Sequence, residues 1–207
     1  MKAALKAHTI FMFIKTFCSS QICVSDSDEN YCFCFDIDDT LIQTNLANFL
    51  AYQKAIFEVK GALINPTLLK DRCDKGLLTA FKLSKQENEY IKVLKDRYFR
   101  SFLSFTKINN LMLCFMQILQ KQYKVILVTS AKQQRIETLI KYHKLENLPT
   151  IFYNLQGNKY KNCLEKFSLN AKFMMIFEDN DKEIKDAQKA GICDIIKNLR
   201  GKNGKLL

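Results

Sequence analysis

The chain has 207 residues, 48% of them hydrophobic and 26% charged. That balance excludes a disordered polar chain and suffices for one buried core with an insertion. Only 6 Gly and 2 Pro exclude collagen-like and low-complexity architectures and speak against a many-turned all-β fold. The formal net charge of +11 favours anionic partners, whether nucleic acid, phosphorylated molecules or an acidic membrane surface, without selecting one. Of the 8 cysteines, Cys32, Cys34 and Cys193 fall in apolar, strand-like runs, where Cys behaves as a small buried hydrophobe. There is no Cys-x-x-Cys pair, and His8 and His143 are the only histidines, so zinc-ligand spacing is absent and a reducing compartment is expected.

Residues 1–30 read as an N-terminal extension. Lys2 and Lys6 precede an apolar stretch that Lys15 interrupts, too short for a membrane span. A leading amphipathic helix is expected there, with a degenerate signal peptide as the alternative. After the polar break at 26–30 comes Tyr31-Cys32-Phe33-Cys34-Phe35, an apolar run of strand length. From 44 to 105 the period is helical: Leu46, Phe49, Leu50 and Phe57, then Tyr90, Ile91, Leu94 and Tyr98, recur at helical steps. Asn65-Pro66 and Lys75-Gly76 mark turns within it. A helix over 108–122 leads to Val125-Ile126-Leu127-Val128, an apolar run of the kind buried on both faces of a parallel sheet.

Beyond it, helices over 132–143, 160–167 and 181–190 alternate with strands over 150–153, 173–177 and 192–196. This alternation predicts an α/β fold, a Rossmann-like parallel sheet of about five strands flanked by helices. Residues 31–43 and 106–207 would form this core, and 44–105 a small helical cap inserted after the first strand.

Ligands of open parallel sheets bind at the carboxyl ends of the strands. The first strand is followed by Asp36-Ile37-Asp38-Asp39-Thr40-Leu41, the second by Thr129-Ser130, the fourth by Glu178-Asp179-Asn180-Asp181. Packing gives an apolar sheet no reason to end in carboxylates and hydroxyls. Converging carboxylates repel one another and favour a hard dication with oxygen ligands, Mg²⁺ above all. Hydroxyls and ammonium groups beside it suit phosphate, and a carboxylate there can attack phosphorus.

Asp36-Ile37-Asp38-Asp39-Thr40 resembles the first motif of the haloacid dehalogenase superfamily, Val128-Thr129-Ser130 its second, and Phe177-Glu178-Asp179-Asn180 its acidic fourth. Gly157-Asn158-Lys159, opening a helix, resembles the third, which supplies a lysine. The resemblance implies Asp36 as nucleophile and Asp38 as general acid and base. It implies Mg²⁺ held by Asp36, the backbone carbonyl of Asp38 and Asp179, and phosphoryl oxygens bound by Thr129 and Lys159. Ser130 would support phosphate binding through its hydroxyl or N–H. Lys161 competes with Lys159 for the third motif, with Lys144 and Lys172 also in play, and Glu178 could share or replace the role of Asp179. Glu183 stands where many relatives carry a second aspartate.

The expected activity is that of a magnesium-dependent phosphomonoester phosphatase. The expected partner is a phosphorylated substrate, either a protein side chain such as phosphotyrosine or a small metabolite, with no nucleic acid and no transmembrane segment. The insertion carries Lys92, Lys95, Arg97, Tyr98 and Arg100, a lid suited to an acidic or aromatic phosphorylated group. A phosphotransferase or phosphomutase of the same family is the alternative enzyme, and a non-catalytic anion-binding module the alternative class. A cytoplasmic enzyme and the phosphatase module of a secreted bacterial effector both fit the composition.

Overall fold

The computed structural model describes residues 31–63, 81 and 83–197. The expectations for residues 1–30 and for the two turns at 65–66 and 75–76 lie outside them.

Five parallel strands form the sheet: β1 (Cys32–Asp36), β4 (Lys124–Thr129), β5 (Thr150–Tyr153), β6 (Met174–Glu178) and β7 (Asp194–Lys197). Their order is β5-β4-β1-β6-β7. The strand order therefore reverses at β1, and the crevice that binds ligands in such sheets opens at its carboxyl end. The expected α/β architecture, a parallel sheet flanked by helices, is what the chain adopts.

Every residue of β1 is buried, and its alternating side chains feed two cores. Phe33 and Phe35 join Phe115, Met116, Ile136 and Leu139 on the face covered by α3 (Asn110–Leu119) and α4 (Gln133–His143). Phe35 stacks on Phe177 at 4.3 Å, and Phe115 stands edge-on to both, a geometry that adds about 1 kcal/mol per pair beyond burial. Cys32 and Cys34 face the other way, against Tyr160 and Cys163 of α5 (Lys159–Phe167) and Ala187 of α6 (Asp181–Lys189). They are free and buried, as small hydrophobes should be.

Between β1 and β4 the chain makes a helical lobe from α1 (Asn45–Lys60), α2 (Lys85–Phe99) and a 3₁₀ turn (Arg100–Phe105). Phe49, Ala55, Ile56, Ile91 and Leu94 form its own cluster, whereas Ala47, Ala51 and Phe99 join the main core. Two connectors tie lobe to core, and they pair as an antiparallel ribbon of β2 (Ile42–Gln43) and β3 (Lys107–Ile108). Strands of two residues carry no periodicity, so this ribbon has no signature in the sequence.

The start of the last strand differs from expectation. Ile192 does not open the last strand: after Gly191, at φ +87°, its N–H donates to Ala187 O at 3.2 Å and closes α6. β7 therefore starts at Asp194, and Cys193, expected to be buried, is exposed. No described helix is long and apolar enough to cross a membrane.

Candidate active site

The register of the sheet brings the three motif-bearing strand ends together. Asp36 pairs with Val128 and Phe35 with Phe177, so Thr129 and Glu178 follow at the same level. A cleft of about 330 Å³ opens there, lined on the core side by Asp36, Asp38, Thr129, Ser130, Lys159 and Asp179. Each site residue expected from the sequence thus borders one cavity.

The loop after β1 is shaped by its own side chains. Leu41 and Ile42 both donate backbone N–H groups to Ile37 O at 3.0 Å, and Asp39 sits at φ +67°, a conformation Asp tolerates better than most residues. Asp39 Oδ1 accepts from the backbone N–H groups of Thr44 and Asn45 at 2.8 and 3.1 Å. It thereby serves the donors at the start of α1 that a cap residue usually satisfies. Thr44, at the N-cap position, makes no side-chain cap bond, and its hydroxyl donates to Asp38 Oδ1 at 2.8 Å instead.

Lys159 reaches the site because Asn158 caps α5, accepting from Tyr160 N and Lys161 N at 3.1 and 3.0 Å. That cap puts Lys159 in the first helical position, from which its side chain leans back toward the strand ends. It is 2% exposed, with Nζ at 2.5 Å from Asp36 Oδ1 and 2.7 Å from Glu178 Oε2. Lys161 points to solvent and pairs loosely with Glu165 at 3.8 Å. Thr129 is buried, and its Oγ1 accepts from Ala131 N at 3.0 Å, so the hydroxyl hydrogen is left to be donated. Ser130 is exposed at the rim.

Asp36, Glu178 and Asp179 offer carboxylate oxygens within 4.8 Å of one another. Three carboxylates against the one Lys159 ammonium leave two negative charges, and an all-oxygen donor set of that charge fits a hard dication. The three do not contribute alike. Glu178 Oε1 accepts from Asp179 N and Asn180 N at 2.9 and 2.8 Å, and Oε2 from Tyr160 OH and Lys159 Nζ. Its acceptor sites are thus filled by protein. Asp36 and Asp179 line the cleft beside it.

The same crowding shapes the acidities. Burial and the neighbouring Glu178 push the Asp36 carboxyl well above its ordinary range, against the pull of Lys159. Burial would raise Glu178 too, but Lys159 outweighs it and holds Glu178 low. Burial works against the Lys159 ammonium, yet the two carboxylates keep its pKa above the usual lysine value.

Sequence reasoning missed Arg135, which also lines the cleft and places Nη2 at 2.5 Å from Asp38 Oδ1. Its place in the helix after β4 offered no sequence signal for that contact. The expected lid differs as well. Among the described residues, Thr44, Asn45 and Asn48 line the cleft from the lobe, rather than Lys92, Lys95, Arg97, Tyr98 or Arg100. Lys92 pairs with Glu89, Tyr98 with Glu58, and Lys95 is buried between Tyr52 and Phe99.

Comparison with known proteins places this geometry in a family. No curated protein sequence matches the chain. Solved structures share the fold at low identity. A haloacid dehalogenase-like family hydrolase from Streptococcus pneumoniae has a TM-score of 0.67 at 14% identity, over 80% of this chain and 83% of that one. A hydrolase of family IA, variant 3, from Entamoeba histolytica has a TM-score of 0.66 at 19% identity, over 78% and 81%. A predicted phosphatase from Clostridium acetobutylicum has a TM-score of 0.64 at 11% identity, over 82% and 94%. The family model for haloacid dehalogenase-like hydrolases matches residues 33–196, a span that runs from the second residue of β1 through β4 and β6 and takes in the acidic strand ends, and the chain belongs to that family.

Proposed function

We propose that this protein is a magnesium-dependent phosphomonoester phosphatase that works through an aspartyl-phosphate. The reading rests above all on the convergence of Asp36, Asp179 and Lys159 at one cleft on the strand-order reversal. In it, an Asp36 carboxylate oxygen attacks phosphorus and the bond to the ester oxygen breaks. Asp38 gives its proton to that departing oxygen. Asp38 then accepts a proton from the water that attacks the acyl phosphate, which releases inorganic phosphate and restores Asp36.

Lys159 and Thr129 donate to the phosphoryl oxygens, with Ser130 assisting from the rim, and stabilise charge as the transfer proceeds. Asp36, the Asp38 carbonyl and Asp179 would hold Mg²⁺, which would supply neutralising charge beside the nucleophile and the phosphoryl oxygens. The described helices α1 and α2 of the insertion serve as the cap of this core. The favoured substrate is a small polar phosphate ester. The described residues lining the cleft are polar or charged apart from Ala131, and Tyr98, the aromatic residue of the expected lid, is not among them.

The test is phosphate release from p-nitrophenyl phosphate and a panel of phosphorylated metabolites and phosphopeptides, with Mg²⁺ or with EDTA. Release should require the metal and fall by three orders of magnitude or more in Asp36→Asn. Metal-independent release, or an active Asp36→Asn, would refute the mechanism.

A further inference from the structure

Arg100, Lys132 and Arg135 bring three cationic side chains to a second, smaller opening in the molecule. It is a pocket of about 40 Å³ between the end of α2 and the first turns of α4, lined also by Asp96, Phe99 and Thr138. Among the described residues, Arg135 alone borders both this pocket and the larger cleft.

The cations outnumber the carboxylates that face them. Asp96 binds Lys132 at 2.7 Å and the buried Lys95 at 3.5 Å. Arg135 Nη2 is engaged by Asp38 at 2.5 Å and Thr44 at 3.4 Å, while its Nη1 makes no hydrogen bond among the described residues. Arg100 forms no ion pair among them. Four cations, Lys95, Arg100, Lys132 and Arg135, thus stand against Asp96 and Asp38, and positive charge is in excess. Lys95 registers it: burial first and Arg135 next lower its ammonium to about 8.

Such an excess calls for an anion, and the donors say of which kind. Guanidinium groups present N–H pairs in a fixed fork that matches the spaced oxygens of an oxyanion, a geometry a spherical chloride cannot use. Thr138 adds no donor, because its hydroxyl hydrogen goes to Gln134 O at 2.7 Å. By volume the pocket holds about three water molecules, room for a small free oxyanion but not for an organic body attached to it.

We propose that this pocket is a second anion site, separate from the phosphoryl site of the cleft, for a free, doubly charged oxyanion such as inorganic phosphate or sulfate. Arg100, Arg135 Nη1 and Lys132 donate to its oxygens. The inference does not depend on the phosphatase reading, although phosphate is also the product that reading releases.

Sulfate titration of the full chain in EDTA, followed by amide NMR, reads the two places apart. Amides 99–101 and 134–138 report the pocket, and amides 129–131 the cleft. Pocket amides should shift to saturation with sulfate but not with chloride at equal ionic strength. Arg100→Gln should weaken this binding about tenfold, the loss of a charge-assisted hydrogen bond. Asp96→Asn removes the repelling carboxylate and should tighten it by about threefold or more. Cleft amides should titrate as in the parent in both variants. Pocket amides that do not move, that answer chloride equally, or that titrate alike in parent and Arg100→Gln would overturn the site, as would weaker binding in Asp96→Asn. Phenylphosphonate carries the same charge on a bulky body and should bind the pocket more weakly than sulfate. Equal binding would overturn the free-ion assignment and make the pocket a head-group site. Turnover of p-nitrophenyl phosphate keeps the two readings distinct: pocket binding without turnover would sink the phosphatase reading alone, and turnover without pocket binding would sink this one alone.

Discussion

Replacing Lys159 by methionine tests the charge balance on which the site depends. The ammonium is 2% exposed and sits at 2.5 and 2.7 Å from two carboxylates that are themselves 5% and 1% exposed. Methionine fills a similar volume but leaves Asp36 and Glu178 facing each other without a counter-charge. Removing one partner of a buried pair costs about 3–5 kcal/mol. An independent bound comes from protonation. The variant can relieve itself by protonating Asp36, and taking a carboxyl of ordinary pKa 3.8 to its neutral form at pH 7 costs about 4 kcal/mol. The two figures agree, so we expect Lys159→Met to lose about 3–4 kcal/mol at pH 7 in EDTA. The folded variant then carries a proton that its unfolded chain does not, so its stability relative to the parent should recover on acidification toward pH 5, by no more than about 1.4 kcal/mol per pH unit because burial already lifts Asp36 in the parent. Urea unfolding at pH 5, 6 and 7 measures this directly. Lys161→Met, whose side chain is 64% exposed and whose ion pair is at 3.8 Å, should stay within about 0.5 kcal/mol of the parent. A loss under 1 kcal/mol in Lys159→Met, or one that does not change with pH, would refute the argument.

Three further substitutions test other charged groups. Lys95 is held down to about 8, against the usual 10.5, by burial and by the nearby Arg135. Between those values the unfolded chain binds more protons than the folded one, so stability should climb with pH by on the order of 3 kcal/mol. Lys95→Met should remove that climb, and parallel pH curves for parent and variant from pH 7 to 10.5 would refute it. Glu178→Gln places an amide among donors that now meet two carboxylate oxygens and should cost about 3 kcal/mol. Asp179→Asn, half-buried, should cost under about 1 kcal/mol in EDTA yet abolish the Tm increase produced by Mg²⁺ in the parent. The opposite pattern would make Glu178 the ligand.

The strands that position the site were legible because β1, β4 and β6 are short continuous apolar runs, and a chemically unlike residue ends each one. Helical periodicity was less informative about the lobe. It shows which residues of α1 and α2 share a face but not which face turns toward the cleft. Lys95 and Tyr98 therefore read as lid residues, although one is buried and the other pairs with Glu58. Ile192 read as a strand residue because helix closure by a buried apolar side chain and strand entry look alike in an apolar stretch. His143, the last residue of α4, bonds Thr106 at 2.7 Å, and burial lowers its pKa.

The charges of the site show where local reading stops and where it could have gone further. Asp36, Asp38 and Asp39 lie in one run, but the cations that complete them arrive from 97 and 123 residues away, as Arg135 and Lys159. No local pattern pairs such distant positions. The choice between Lys159 and Lys161, however, had a local answer. Asn is a strong cap, so Asn158 makes Lys159 the first helical residue. At about 100° per residue, Lys161 is then turned some 200° around the axis, away from whatever Lys159 faces. A helix that follows a parallel strand of this sheet ends near the amino edge of the next strand and begins at the carboxyl edge. A first-position side chain leaning toward its own N-terminus therefore points at the strand ends. The same reasoning does not find Arg135: α4 starts at Gln133 with no side-chain cap, and Arg135 is its third residue, the position Lys161 holds in α5. Cap chemistry combined with parallel-sheet topology thus singles out Lys159, whereas Arg135 is told only by its distance to Asp38.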